Sequence, residues 1–87
     1  MEFEWDEGKS AANRAKHGVG FERARQMDLD SAHKVADLRR DYGEHREVAY
    51  VRHEGRLFVC VYVLREGRYR IISLRKANSR EERKYGR

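Results

Sequence analysis

The sequence has one cysteine and no long apolar run, and each shortage narrows what the protein can be. Cys60 has no partner for an intramolecular disulfide, which fits a reducing compartment, and its place within LFVCVYVL predicts a small buried hydrophobic residue rather than a nucleophile. No window approaches the ~18 consecutive apolar residues of a membrane span. The opening MEFEWDEGKS is acidic and polar, unlike a signal peptide, so we expect a soluble, cytoplasmic protein.

The sequence also lacks the spacings that bind metals and nucleotides. No His-x-x-His or Cys-x-x-Cys pair occurs among its residues. Gly18 and Gly20 flank a single valine, and no Gly-Lys-Ser/Thr sequence follows them. These absences disfavour a metal site and a nucleotide-driven enzyme.

Charge is what the chain has in abundance. Charged residues make up 40% of its 87 residues, and 20 Lys plus Arg against 15 Asp plus Glu give a net charge of +5. A basic protein attracts polyanions such as RNA, DNA or an acidic partner through long-range electrostatics. A chain of this length predicts one domain, residues 1–87, with a modest core.

The start of the chain predicts a short strand followed by a helix. Phe3 and Trp5 alternate with acidic residues, which is typical of a half-buried strand. Asp6 can cap a helix over 7–17, and Gly18 can end it in a left-handed conformation. The helix carries small residues that we expect to form its packing face against a sheet: Ala11, Ala12 and Ala15.

The next segment is harder to interpret. A second helix is expected at about 21–28, with Gly20 providing no side-chain cap, and its apolar positions recur at helical spacing: Phe21, Ala24 and Met27. A strand is expected at 33–38 and a loop at 39–43.

The second half predicts an antiparallel β-meander. Two turn signals, at 54–56 and 66–68, separate apolar runs and place strands at 46–53, 56–65 and 68–76. The middle strand is apolar on both faces, as in the interior of a sheet. Simple alternation predicts that the side chains of the last strand point to the two faces of the sheet in turn. One face is expected to have Tyr69, Ile71, Ser73 and Arg75, and the other Arg70, Ile72, Leu74 and Lys76.

A terminal helix completes the predicted architecture. Ser79 and Glu82 have the spacing of a capping box, which predicts a helix over 80–85. The fold class is therefore α+β: a short N-terminal strand, two helices, an antiparallel β-meander and a C-terminal helix.

Basic residues interleaved with polar aromatics remain as candidates for chemistry, and RNA cleavage is one reaction that such residue types suit. Without a metal, this reaction needs a base for the 2′-hydroxyl proton, cations for the charge on the phosphorane and an acid for the leaving oxygen. Histidine suits proton transfer near neutral pH, and arginine can grip two phosphate oxygens. Arg70, Arg75 and His17 have suitable chemistry, and Glu44 or Tyr85 can assist.

Structural explanations compete with these assignments. His17 precedes a helix-ending glycine, where a cation is favoured by the helix dipole, and Arg75 also suits a solvated strand end. Lys9, Asn13 and Lys16 share one face of the helix, and ordinary exposure of that face to solvent explains their polarity.

Two separated blocks and a short connection resemble the BrnT toxin family. FEWDEGKSAANRAKHGVGFERA, at 3–24, is similar to the family's opening, and RIISLRKANSREERKYGR, at 70–87, is similar to its ending. Between them, Tyr42-Gly43-Glu44-His45-Arg46 is similar to its Tyr-Gly-Glu-x-Arg connection. The chain departs from the pattern at MDLDS, 27–31, where a segment like hydrophobic-Phe-Asp-Pro is expected, and it contains no proline.

The resemblance implies a ribonuclease toxin of a type II toxin–antitoxin pair with a RelE-like fold. Such a toxin cuts RNA and stops translation without a metal or other cofactor. It is inhibited by a BrnA-like antitoxin with a ribbon-helix-helix part, and the complex, expected to be a heterotetramer, contacts operator DNA only through the antitoxin.

The resemblance and the chemistry together give two sets of site residues. We assign Arg75 and Arg70 to phosphate stabilisation and His17 to proton transfer; the alternative is a RelE-like site that uses Lys, Arg and Tyr without any histidine. The full candidate catalytic set is Arg75, Arg70, His17, Tyr85 and Glu44. The candidate RNA-binding set is Lys16, Arg46, Lys76, Arg80 and Lys84.

Two other functions stay open at this point. One is a noncatalytic RNA- or DNA-binding module that uses the same basic surface and the exposed faces of Tyr42, Tyr69 or Tyr85. The other is a partner-binding domain that has lost its activity. Salt weakens nucleic-acid binding in the toxin and the module alike, so binding assays alone do not separate them.

Overall fold

The computed structural model describes residues 2–38 and 43–86, which are built around a five-stranded sheet. The described elements, in chain order, are β1 (Glu2–Glu4), α1 (Glu7–His17), two 3₁₀ helices (Phe21–Gln26 and Leu29–Ser31), β2 (His33–Ala36), β3 (Arg46–His53), β4 (Arg56–Arg65), β5 (Arg68–Lys76) and α2 (Ser79–Tyr85). The expected α+β architecture is confirmed. Most of the expected loop at 39–43, including Tyr42, lies outside the described residues.

The sheet has the strand order β1-β5-β4-β3-β2, in which β1 runs parallel to β5 and the other neighbours are antiparallel. The predicted meander is confirmed with the same strand bounds. Its turns contain Glu54-Gly55 and Glu66-Gly67, whose φ angles of 51° and 76°, and 52° and 76°, are all positive. Two central residues with positive φ suit the right-handed twist of a hairpin, which is why glycine is needed there.

One face of the sheet is covered by the chain between α1 and β2, and it holds the larger core. Phe21, Ala24 and Met27 are buried, as their spacing predicts. The helix at 21–28 is, however, a 3₁₀ helix that ends at Gln26. A repeat of three residues matches the three-residue turn of a 3₁₀ helix, so the same spacing fits the tighter form. The strand side of this core contains Ala49, Val51, Phe58, Cys60, Tyr62, Tyr69, Ile71 and Leu74.

The prediction about the packing face of α1 is wrong. Its ends are as expected, since Asp6 accepts from the backbone N–H of Lys9 at 2.9 Å and Gly18 has a φ of 79°. Its alanines are exposed, and the buried residues are Ser10 and Asn13. The helix packs against the sheet through polar side chains because it lies at an edge, where backbone N–H and C=O groups need hydrogen-bond partners.

Asn13 forms hydrogen bonds with the backbone groups at this edge. The expectation that Asn13 is a solvent-exposed surface residue is therefore wrong. Its Nδ2 donates to the carbonyl oxygens of Leu74, at 2.6 Å, and Val19, at 2.8 Å, while its Oδ1 accepts from the N–H of Leu74 at 3.4 Å. β1 pairs with β5 only at Arg68, Tyr69 and Arg70. Beyond that point the side-chain amide of Asn13 takes the place of a neighbouring strand.

A β-bulge in β5 makes the simple alternation of that strand wrong. Tyr62 pairs with Ile71 and Val61 pairs with Ser73, so Ile72 is an extra residue. The extra residue reverses the pattern, and the buried residues facing the larger core become Tyr69, Ile71 and Leu74. Ser73 and Arg75 consequently lie on the opposite face of the sheet.

α2 packs on that second face, against a smaller cluster of Leu57, Val59 and Ala77 joined by Tyr85. The helix is capped by Asn78 and Glu81 rather than by Ser79 and Glu82, so it begins one residue earlier than predicted. No helix in the described part of the chain is long and apolar enough to span a membrane.

Candidate active site

The second face of the sheet has an open groove of about 380 Å³ beside α2. α2 covers one end of this face, and the four residues of β2 are exposed. The floor is apolar, with Val48, Val59, Val61 and Ile72, and the polar side chains around it belong to Asp37, Arg46, Tyr50, Ser73, Arg75 and Glu81. Ser73 and Arg75 reach the groove because of the bulge at Ile72.

Arg75 is held by Glu81 at one end of the groove. Its two terminal nitrogens donate to the two carboxylate oxygens of Glu81, each at 2.8 Å. The hydrogen bonds from Arg75 are the main reason that the pKa of Glu81 lies below its ordinary value, so the carboxylate stays ionised. The Arg75 side chain is 34% exposed, against 15% for Glu81, so the cation is the more accessible partner.

A cluster of three rings lies beside this pair. Tyr50 stacks on Tyr85 with centroids 3.8 Å apart, and the ring of His33 lies 4.9 Å from that of Tyr85. Burial, followed by the charges of Tyr85 and Glu81, raises the pKa of Tyr50, so its hydroxyl is a proton donor at neutral pH. His33 is exposed, and its imidazole is therefore accessible from solvent.

Two more arginines belong to the same face but to its other end. Arg46 on β3 and Arg70 on β5 both pair with Val63 of β4, whereas Arg75 pairs with Val59. Four residues of strand correspond to about 13 Å, so the backbones of Arg70 and Arg75 are separated by this distance along the same face of the sheet. The Nη1 of Arg70 lies 3.8 Å from a carboxylate oxygen of Glu4.

Several predicted site residues lie away from the groove. Lys16 and His17 are at the end of α1, beside the edge of β5, and neither lines the groove. Glu44 pairs with the Nη2 of Arg65 at 2.8 Å, near the end of the meander remote from Arg75. Lys76 points to the opposite face of the sheet.

The remaining predicted residues belong to α2 or to the larger core. Arg80 and Lys84 are exposed on α2, and the Nζ of Lys84 lies 5.3 Å from the ring centroid of Tyr85. Tyr69, expected to present an exposed face to nucleic acid, is only 3% exposed and donates to Asp30 at 3.0 Å. That expectation is wrong, because the ring of Tyr69 packs on Phe3 and Tyr62 in the larger core.

Sequence reasoning missed His33, Tyr50 and Glu81. Alternation in β3 was a usable signal for Tyr50, since it shares a face with Arg46 and Val48. The capping-box spacing that predicted Ser79 and Glu82 also fits Asn78 and Glu81, the pair that caps α2 in the structure. The sequence therefore contained a signal for Glu81. Nothing in the local sequence around His33 indicates that α2 will bring Tyr85 next to it.

Across 2–38 and 43–86, no group of three or more His, Cys, Asp or Glu side chains is arranged to hold an ion.

Comparison with known proteins identifies the family. No curated protein sequence matches the chain. The sequence model of one family, described as the ribonuclease toxin BrnT of type II toxin–antitoxin systems, matches residues 5–81. This match contains the groove, its Arg75–Glu81 pair and nearly the whole described chain, and we conclude that the chain belongs to the BrnT family of ribonuclease toxins.

Proposed function

We propose that this protein is a metal-independent endoribonuclease that stops translation, and that the groove beside α2 is its active site. The placement of Arg75 carries the proposal. It is an arginine fixed by a carboxylate and partly open to solvent, and it shares the groove with Tyr50, whose ring stacks on Tyr85. The ring of His33 in turn lies against that of Tyr85. These are the residue types that phosphodiester cleavage needs when protein groups alone supply the charge and the protons.

Arg75 has the role of stabilising the scissile phosphate. Charge builds up on the phosphate oxygens as the 2′-oxygen attacks, and a guanidinium held in place beforehand stabilises that charge without moving during the reaction. Glu81 supplies the positioning through its two hydrogen bonds to Arg75. Arg46 and Arg70, about 13 Å further along the sheet, would contact neighbouring parts of the RNA backbone.

Proton transfer is assigned to the ring cluster. Tyr50, whose pKa is raised, stays protonated and can donate a hydrogen bond to the phosphate. His33 is the exposed imidazole of this ring cluster, and histidine can act as base or acid near neutral pH. The role predicted for His17 stays a prediction, and comparing His17→Gln with His33→Gln in a cleavage assay separates the two.

The groove is also the surface through which we propose that an antitoxin inhibits this protein. A BrnA-like ribbon-helix-helix antitoxin would block cleavage by covering the groove, and the net charge of +5 favours an acidic covering segment. We propose that the pair assembles as a heterotetramer and reaches operator DNA through the antitoxin. The site of action would be the cytoplasm, with residues 1–87 acting as one toxin domain.

Growth arrest tests this function in cells. Expression of the wild-type chain should stop growth, and co-expression of the antitoxin should restore it. Arg75→Ala should relieve the arrest at equal protein levels, whereas Arg68→Ala, which removes an exposed cation at the other end of β5, should not. Full toxicity of folded Arg75→Ala would rule out the groove as the active site.

A further inference from the structure

A second basic pocket lies on the opposite side of the strand end that carries Arg75. It has a volume of about 250 Å³ and is lined by Arg23, His53, Glu54, Arg56, Phe58 and Lys76. Lys76 follows Arg75 in β5, and neighbouring side chains of a strand point to opposite faces of the sheet. The pocket and the groove therefore lie back to back across the end of β5.

The pocket has more positive charge than its own carboxylate can neutralise. Glu54 is the one acidic residue among its lining residues; its side chain is 68% exposed, and its Oε1 lies 3.4 Å from His53 Nε2. Three cationic side chains, Arg23, Arg56 and Lys76, line the same space. Within the described ranges, neither Arg23 nor Lys76 forms an ion pair. An anion is the ligand that relieves their mutual repulsion.

His53 adds a second polar group to the pocket. Its side chain is 12% exposed, and its ring lies edge-on to Phe58 with centroids 6.1 Å apart. The buried Nε2 makes no hydrogen bond of good geometry within the described part of the chain. His53 therefore contributes a buried ring nitrogen without a hydrogen-bond partner among the described residues, beside the cations of the pocket.

We propose that this pocket binds a backbone phosphate of single-stranded RNA, on the strand that continues from the phosphate held at Arg75. The inference rests on the proposed function, because it assigns a further contact to the same substrate. A single strand is flexible enough to pass around the end of β5, from the groove to the opposite face. The guanidinium groups of Arg23 and Arg56 have the fork that suits phosphate oxygens.

The character of the pocket favours RNA over an acidic protein segment. Protein interfaces are anchored by large apolar or aromatic side chains in well-packed pockets. Here the aromatic residue, Phe58, is only 5% exposed and forms part of the core. The accessible groups are three cations and one carboxylate, Glu54, and this excess of positive charge is expected for contacts to an RNA backbone.

Binding of RNA that cannot be cleaved tests the proposal directly. A single-stranded 2′-O-methyl RNA, labelled with a fluorophore, is titrated with Arg23→Gln and Lys76→Gln at several salt concentrations. Both side chains are exposed, so both variants should fold, as circular dichroism and thermal unfolding will check. Each is expected to weaken binding several-fold and to reduce the slope of log K against log salt by about 0.7, the value for one phosphate contact on a single strand.

Lys9→Gln is the matched control, because it removes one exposed positive charge from α1, outside both the groove and the pocket, and should leave the slope unchanged. Wild-type affinity and slope in both pocket variants would overturn the proposal. Normal RNA binding combined with weaker binding of the antitoxin would also overturn it, in favour of an acidic protein ligand.

Cleavage of ordinary RNA by the wild-type protein, measured in parallel, keeps the two claims apart. Failure of this cleavage contradicts the proposed function, whereas the salt slopes decide whether the pocket holds a phosphate.

Discussion

Glu81 joins Arg75 to the start of α2. Its carboxylate accepts two hydrogen bonds from the Arg75 guanidinium, each at 2.8 Å, and one from the backbone N–H of Asn78 at 2.9 Å. The same side chain therefore completes the capping box of the helix and fixes the cation at the end of the groove. Arg75 is held where it is because α2 begins at this point.

The first prediction concerns Glu81 as a positioning residue. Glu81→Ala removes the two hydrogen bonds that Glu81 accepts from Arg75 and should lower kcat about 10- to 100-fold, as expected for a misplaced catalytic group, with a smaller change in KM. Glu81→Gln keeps an oxygen for Arg75 and for Asn78 and should recover most of the activity. Kinetics on a defined RNA measure both.

Glu82→Ala is the control for these variants. Glu82 is on the same helix but pairs with Arg52 at 3.2 Å, outside the groove. If Glu81→Ala instead bound RNA more tightly and cut it at least as fast as wild type, the prediction would be contradicted. Glu81 would then compete with the RNA phosphate for the Arg75 guanidinium rather than position it.

The second prediction is an acid-dependent loss of stability. The pKa of Glu81 is lower in the folded protein than its ordinary value of 4.5, mainly through the hydrogen bonds from Arg75. A lowered folded-state pKa stabilises the fold above the unfolded pKa and loses that contribution as the pH falls through the folded value. The unfolding free energies of wild type and Glu81→Gln should therefore converge below about pH 4.5. Urea unfolding at a series of pH values measures this, and a constant gap down to acid pH would contradict it.

The third prediction concerns the bond between α1 and the edge of β5. Asn13→Ala leaves the buried N–H and C=O of Leu74 without this partner, at a cost of about 1–3 kcal/mol for each unsatisfied group. The midpoint of urea unfolding should fall clearly. Gln26→Ala, which removes an exposed amide, should change stability by less than about 0.5 kcal/mol. Equal midpoints for the two variants would show that Asn13 does not support this edge.

The fourth prediction concerns Cys60. Its side chain is completely buried, and burial raises the pKa of the thiol to about 12. A thiol reagent at pH 8 should label the protein only after it unfolds, and Cys60→Ala should cleave RNA at the wild-type rate. Rapid labelling of the folded protein, or loss of cleavage in a folded variant, would make the cysteine a functional group.

The sequence predicted the meander well because its signals are local. Gly55 and Gly67 follow residues that also have positive φ, and this turn chemistry sets the register of both hairpins. The cap of α1 by Asp6 and its end at Gly18 are local in the same way. Each depends on groups within a few residues of one another along the chain.

The candidate site was less predictable because tertiary placement decides it. The bulge at Ile72 turns Arg75 toward the groove, and no residue near it signals the change of face. The ring cluster depends on β2 and α2, distant in sequence, bringing His33 to Tyr85. The polar docking of α1 by Asn13 depends on how far β1 extends along β5, which local patterns do not encode.

Cleavage of a defined messenger RNA by purified protein, with and without EDTA, tests the central claim most directly. The proposed active site predicts cleavage that persists in EDTA, is lost in Arg75→Ala and is kept in Arg68→Ala. Cleavage that EDTA abolishes, or that survives in folded Arg75→Ala, would contradict a metal-independent site built on Arg75.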